Sequence, residues 1–195
     1  MRASLAGGPG MEVACGDCVG CCTSSYFIKV RPHETRALER IGANHLEPDT
    51  LPDGSRLMGF ASNGHCHMFV DGRCSIYSDR PETCRTYDCR VYAASGIEAG
   101  EGRTMINERI ADWEFEFVDE QERAAHRAVR AAAAYLRQHP VRFPNGRVPS
   151  RPAEIAVLAI KSYEVFLDPP PDDRAIADGI IAAVRDFDRQ LAKGI

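Results

Sequence analysis

Apolar periodicity is strong in the second half of the chain and weak in the first. Ile176, Ile180, Ile181, Val184, Phe187 and Leu191 recur at helical spacing, which predicts a helix over 172–193 stopped by Gly194. Residues 119–138 are rich in Ala, Arg and Glu, all strong helix formers, and predict another. A third is expected over 150–167, with Ser150 as its cap and Pro152 in its first turn. Proline-rich breaks at 140–149 and 168–171 separate the three. Trp113-Glu114-Phe115-Glu116-Phe117 alternates with period two, which predicts a strand with one buried face. Glycines at 96, 100 and 102 mark the change of character.

Upstream of those glycines the expected elements are short. Residues 26–30 read as a strand, and 32–41 as a helix stopped by Gly42. The stretch 44–64, carrying Pro48, Pro52 and Gly54, reads as a mostly irregular connection. Asp71-Gly72 between the apolar-containing runs of 68–77 predicts a tight β-hairpin. Asp79 is a candidate N-cap, followed by Pro81, for a short helix over 80–86.

Composition narrows the class. The chain has 195 residues, enough for one or at most two domains, and its 44% apolar and 27% charged content is that of an ordinary globular protein. A net charge of −4 gives no basic field, so no nucleic-acid partner is expected. The longest apolar runs, such as 155–160, fall far short of the roughly 20 residues of a membrane span. No membrane association is expected. Residues 1–10 lack the apolar run of a secretory signal and read as a disordered leader. The expected location is therefore the cytoplasm, a reducing compartment in which stable disulfides are rare.

The cysteines carry the chemistry. There are eight, all between positions 15 and 89. Cys15-x2-Cys18-x2-Cys21-Cys22 forms the first cluster, and Cys66, Cys74, Cys84 and Cys89 the second group. A two-residue gap lets a turn aim two sulfurs inward, so Cys15, Cys18 and Cys21 can wrap one centre from a single loop. Cys22 follows immediately, so its side chain is expected to point elsewhere and to serve a second centre. From 15 to 90 there are nine Lys or Arg against ten Asp or Glu, so packed thiolates would repel one another without a cation. All eight cysteines are candidate metal ligands, in one or two centres. Zinc favours four-cysteine sites built from paired knuckles. A C-x2-C-x2-C run is closer to the wrapping of an iron–sulfur cluster, and the spacing leans that way. A thiol–disulfide oxidoreductase built on Cys15 and Cys18 lacks the expected βαβ context.

Cys15-Gly-Asp-Cys18-Val-Gly-Cys21-Cys22 and the stretch Cys74-Ser-Ile-Tyr-Ser-Asp-Arg-Pro-Glu-Thr-Cys84-Arg-Thr-Tyr-Asp-Cys89 resemble the zinc- or iron-chelating CxxCxxCC family, also called YkgJ-like cysteine-cluster proteins. The resemblance covers about 12–92, with both halves matching in order. It implies metal chelation by the cysteines. A flagellin lysine-methylating branch carries a similar signature, which makes an iron–sulfur-dependent enzyme, acting in redox chemistry or protein methyl transfer, the alternative by analogy. The chain shows no glycine-rich Rossmann loop of the kind many methyltransferases use.

Other residues read more plainly. His65 and His67 flank Cys66 and are either loop residues or metal neighbours; His33, His126 and His139 read as solvated. Arg73, Arg80, Arg85 and Arg90 crowd the second cysteine group and are expected to pair with Asp79, Glu82 and Asp88; Arg80 has the best claim to a contact with sulfur or an anion. Tyr77 and Tyr87 are expected to pack around the metal. Ala131, Ala132, Ala133 and Ala134 suit close helix packing within the chain. No catalytic triad, phosphate loop or carboxylate pair stands out, so no reaction follows from the residues. A protein partner is left open.

The expected fold is α+β. A metal-stapled cysteine-cluster domain over 11–95, with a β-hairpin and short helices, packs against a mainly helical region over 96–195. The expected function is metal binding.

Overall fold

The computed structural model describes residues 17–144 and 148–193; the expected leader at 1–10, Cys15 and Gly194 lie outside them. The fold is α+β, with seven α-helices and two small antiparallel sheets among the described residues. Two compact units are present. One comprises 17–88 and 100–109, the other 89–99 with the described residues beyond 109.

The first unit contains both sheets. Strands β1 (Ile28–Val30), β2 (Leu46–Thr50) and β3 (Arg56–Met58) pair in the order β1-β3-β2. Ile28 lies opposite Met58, and Val30 opposite Arg56. Strands β4 (Phe69–Val70) and β5 (Arg73–Cys74) form the expected hairpin. Its turn residues, Asp71 at φ +50° and Gly72 at φ +75°, both adopt the left-handed conformation that a type I′ turn requires. Helix α1 (Thr35–Ile41) gives Ala37 and Ile41 to the core, and helix α2 (Glu82–Arg85) is a single turn packed against β1. Ile28, Val30, Ala37, Ile41, Met58, Met68 and Ile76 form the core, with Cys66, Cys74 and Cys84 packed against it.

Two sequence expectations in this unit require correction. The connection 44–64 holds two strands rather than irregular chain, because β2 is an exposed edge strand where Pro48 costs no ladder bond. It therefore lacks the apolar alternation that marks a strand. Asp79 does not cap a helix; it closes a 3-10 turn and pairs with Arg36 at 3.0 Å and Arg40 at 4.0 Å. A further helix, α4 (Thr104–Ala111), follows the glycines, and its residues through Arg109 belong to this unit.

The second unit is helical. It contains α3 (Arg90–Ser95), α5 (Glu120–Gln138), α6 (Pro152–Ser162) and α7 (Asp173–Ala192). Helix α6 packs against α3, α5 and α7. Asp119 and Asp172 cap α5 and α7 by accepting from the backbone N–H groups of Glu122 and Ala175, each at 2.9 Å. Ala132 and Ala133 are fully buried, which lets the helices approach closely. Of the predicted stripe on α7, Ile180 and Phe187 are buried and Leu191 is exposed. The helix expected at 150–167 begins instead at Pro152, without a side-chain cap, and passes into a 3-10 turn over Tyr163–Phe166. Residues 113–117 keep the predicted alternation of half-buried and exposed positions but have no partner strand. Phe115 and Phe117 instead each place a ring 5.1 Å from His126.

Replacing Leu136, which is 1% exposed on α5, by Ala is expected to cost about 2–5 kcal/mol. Replacing the Asp172 cap by Ala is expected to cost about 1 kcal/mol. Chemical denaturation of the two variants should rank them in that order.

Candidate metal centre

Three segments deliver sulfurs to one place in the first unit. The first is the 3-10 turn Gly20–Thr23, which carries Cys22. Gly20 lies against Ile106, where a Cβ would stand 3.1 Å from the Ile106 side chain. The Ser24 hydroxyl donates to the Gly20 carbonyl at 2.5 Å, and the Cys22 N–H to the Val19 carbonyl at 2.8 Å. The second is the hairpin segment with Cys66 and Cys74. The Cys66 N–H donates to the Cys22 carbonyl at 2.7 Å, which joins the two segments. Cys74 lies opposite Phe69 in the hairpin. The third is α2, which carries Cys84. The Thr83 hydroxyl donates to the Lys29 carbonyl on β1 at 2.6 Å.

Glu34 fixes that third segment. Its carboxylate accepts from the backbone N–H of Arg31 at 2.7 Å and of Glu82 at 2.6 Å, and Arg85 stands 3.9 Å away. Burial works to raise this carboxyl, but the two N–H donors and the cations of Arg85 and Arg31 bring it below its ordinary value. Sequence reading missed Glu34. Its reach back to the N–H of Arg31 is half of a capping box, but Arg31 is not the Ser or Thr that would mark one, so the sequence carried no signal for it.

Cys22, Cys66, Cys74 and Cys84 form one electrostatically coupled group. Burial pushes the Cys84 thiol up to about 12, and negative charge on Cys66, Cys22 and Cys74 adds to the shift. Burial also pushes Cys22 up to about 11, reinforced by Cys66, Cys74 and Cys18. Burial raises Cys66 too, against the N–H groups of Met68 and Phe69. Arg80 opposes the rise at both Cys22 and Cys84. Its guanidinium lies 3.7 Å from the centre of the Tyr77 ring. Arg80 is thus the arginine whose charge bears on two of these thiols.

The remaining cysteines stand apart. Cys18 is half-buried and coupled to Cys22, and Cys21 is exposed. Cys89 is buried in the second unit, where the Trp113 indole N–H donates to its sulfur at 3.2 Å. No disulfide joins the described cysteines to one another. Cys22 is joined to the downstream group through its carbonyl, which accepts from the Cys66 N–H.

The flanking residues depart from expectation in several places. Arg36 and Arg40, not the nearby arginines, take Asp79, and Arg31 takes Glu82 at 2.9 Å. Arg90 lies 5.8 Å from the Trp113 ring, and Arg73 is exposed on β5. Tyr77 is 66% exposed rather than packed inward, because its ring supports Arg80. The Tyr87 hydroxyl donates to that of Tyr26 at 3.1 Å. His65 packs edge-on against Phe69, and His67 lies 4.5 Å from His45. His33 is exposed. His126 is half-buried, and burial, aided by Arg130, lowers its pKa. His139 stacks on Tyr135 at 4.4 Å.

Among the described residues no three His, Cys, Asp or Glu side chains are already gathered to hold a metal ion. The donor chemistry of the coupled group nonetheless fits one. Cys66, Cys74 and Cys84 pack against the apolar core and the Cys22 carbonyl accepts from the Cys66 N–H, so four soft sulfur donors come from neighbouring segments, and a bound cation would offset the thiolate repulsion that adds to burial in holding protons on Cys22 and Cys84. In the metal-free protein, folding holds protons on Cys22 and Cys84 at pH values where the unfolded chain, with thiols near 9.0, releases them. Their contribution to stability is therefore complete below about pH 9 and lost as pH rises toward 11 and 12. Denaturation of reduced, metal-free protein should show a lower midpoint at pH 10 than at pH 7.5. The difference should shrink in Cys84→Ala.

Comparison with known proteins agrees with this chemistry. A profile of the CxxCxxCC family, described as "Putative zinc- or iron-chelating domain", matches residues 14–122. No curated protein and no solved structure matches the chain. The matched span covers more than half of the chain and all eight cysteines, and also takes in Trp113, the partner of Cys89. The chain belongs to the CxxCxxCC family.

Proposed function

We propose that this protein binds zinc or iron at one four-cysteine centre made of Cys22, Cys66, Cys74 and Cys84. The observation that carries this reading is the meeting of three segments: Cys66, Cys74 and Cys84 pack against one apolar core, and the Cys66 N–H donates to the Cys22 carbonyl at 2.7 Å. The family's description as a zinc- or iron-chelating domain supports it. A bound cation would neutralise the thiolates and tie the three segments together, contributing to the stability of a unit with a small core. Glu34 holds α2 in register, the hairpin presents Cys74, and Arg80 supplies a positive charge beside Cys22 and Cys84.

Iron in the form of an iron–sulfur cluster is the finer alternative, carried by the C-x2-C-x2-C spacing of Cys15, Cys18 and Cys21. An enzyme built on such a cluster rests on family analogy alone. The many thiols suit a reducing compartment such as the cytoplasm. Among the described residues no helix is long and apolar enough to cross a membrane.

Protein purified anaerobically should hold stoichiometric zinc or iron. Acid-labile sulfide with a broad band near 400 nm, a region where cluster thiolates absorb, would identify an iron–sulfur cluster. Cys22→Ser, Cys66→Ser, Cys74→Ser and Cys84→Ser should each weaken metal retention, whereas Cys89→Ser should retain it. Metal-free wild-type protein, or full retention in all four variants, would contradict the reading.

A further inference from the structure

The apolar stripe of α7 is wider than the core of the second unit uses. Ile180 and Phe187 are buried, but Ile181 and Val184 are only half-buried. Ile180, Ile181 and Val184 line a cavity of about 290 Å³. Buried Leu136 of α5, buried Phe143 and half-buried Leu158 of α6 line it with them. Every lining residue belongs to the second unit. An apolar hollow forgoes the dispersion contacts that close packing would give. Its volume lies close to the lower end of small-molecule sites, roughly 300–1,000 Å³.

Arg185 is the one charged residue of the lining, exposed on α7 directly after Val184. The carboxylates beside it on the helix are taken elsewhere: Asp186 pairs with Arg189, and Asp188 with Lys161 at 2.6 Å. Among the described residues no carboxylate pairs with Arg185. The cavity therefore combines an apolar interior with an unmatched guanidinium on its solvent side. A guanidinium takes a carboxylate through two parallel N–H donors, and a hydrocarbon chain fits the rest of the lining.

We propose that this cavity binds a medium-chain fatty carboxylate. Its alkyl chain lies among Leu136, Phe143, Leu158, Ile180, Ile181 and Val184, and its carboxylate rests on Arg185. The small volume selects chains such as octanoate or decanoate, because a longer chain would leave methylenes in water. The inference is independent of the cysteine centre, whose four thiols lie in the first unit.

The test is isothermal titration of the full chain with decanoate below its micellar range, with decanol as the uncharged comparison. Decanoate should saturate a single site in wild type, and decanol should bind more weakly. Arg185→Gln should weaken decanoate about tenfold, a loss of about 1.4 kcal/mol, and leave decanol unchanged. Val184→Trp, which fills the cavity, should abolish binding of both while keeping the wild-type circular dichroism spectrum. Ile181→Phe is a smaller intrusion that should weaken both, and it decides the point where Val184→Trp does not fold. Arg189→Gln, whose cation pairs with Asp186, should match wild type. Absence of saturable decanoate binding would overturn the proposal. Unchanged decanoate affinity in Arg185→Gln, or decanol bound as tightly as decanoate, would overturn it by removing the carboxylate from the recognition. A dimer in sedimentation that excludes decanoate would overturn it by making a second copy of the chain the occupant.

Discussion

Three cysteines packed against an apolar core, with a fourth, Cys22, tied to them through the Cys66 N–H, are the constraint around which the first unit is organised. A buried thiolate is costly, and four together compound the cost through mutual repulsion. Cys22 and Cys84 can stay protonated, pushed up to about 11 and 12, or their charge can be met by a cation. The surrounding structure serves to keep the sulfurs in place. Glu34 anchors α2 through two backbone donors, the type I′ turn sets the register of the hairpin, and Gly20 seats the first turn against Ile106. Arg80 adds a positive charge at the edge of the group, which tempers the repulsion without abolishing it.

The second unit is built on different physics. Its helices bury Ala132, Ala133, Leu136, Ile160 and Ile180, and capping aspartates hold the starts of α5 and α7. The Tyr135 hydroxyl donates to the Asp173 carbonyl, and Asp173 also faces His139 at 3.8 Å and Arg142 at 3.6 Å, so the end of α5 is tied to the start of α7. This unit holds itself together by apolar burial with polar ties at helix ends. Its one cysteine, Cys89, accepts an indole N–H. A sulfur in that setting differs in kind from Cys66, Cys74 and Cys84, which pack against the core of the first unit.

What the sequence made legible follows from the range of each interaction. Asp71-Gly72 specifies a hairpin locally, and the stripe of α7 specifies a helix by its own period, so both were readable. The exposed strand β2 was hidden, because an edge strand with Pro48 in an irregular register displays no buried alternation. Residues 113–117 misled for the opposite reason: their period-two alternation is real, but no neighbouring strand pairs with it, and two of the rings take His126 instead. The distinct setting of Cys89 could not be read from spacing, since it depends on Trp113, 24 residues further along the chain.

One metal centre surrounded by sulfur from Cys22, Cys66, Cys74 and Cys84 would have a direct spectroscopic signature. X-ray absorption at the zinc or iron edge of the anaerobically purified protein tests it most directly. The account predicts a first shell made of sulfur, at about 2.3 Å for zinc, that loses sulfur in Cys22→Ser and Cys84→Ser and is unchanged in Cys89→Ser. A shell dominated by nitrogen or oxygen, or one that is insensitive to Cys22 and Cys84, would contradict it.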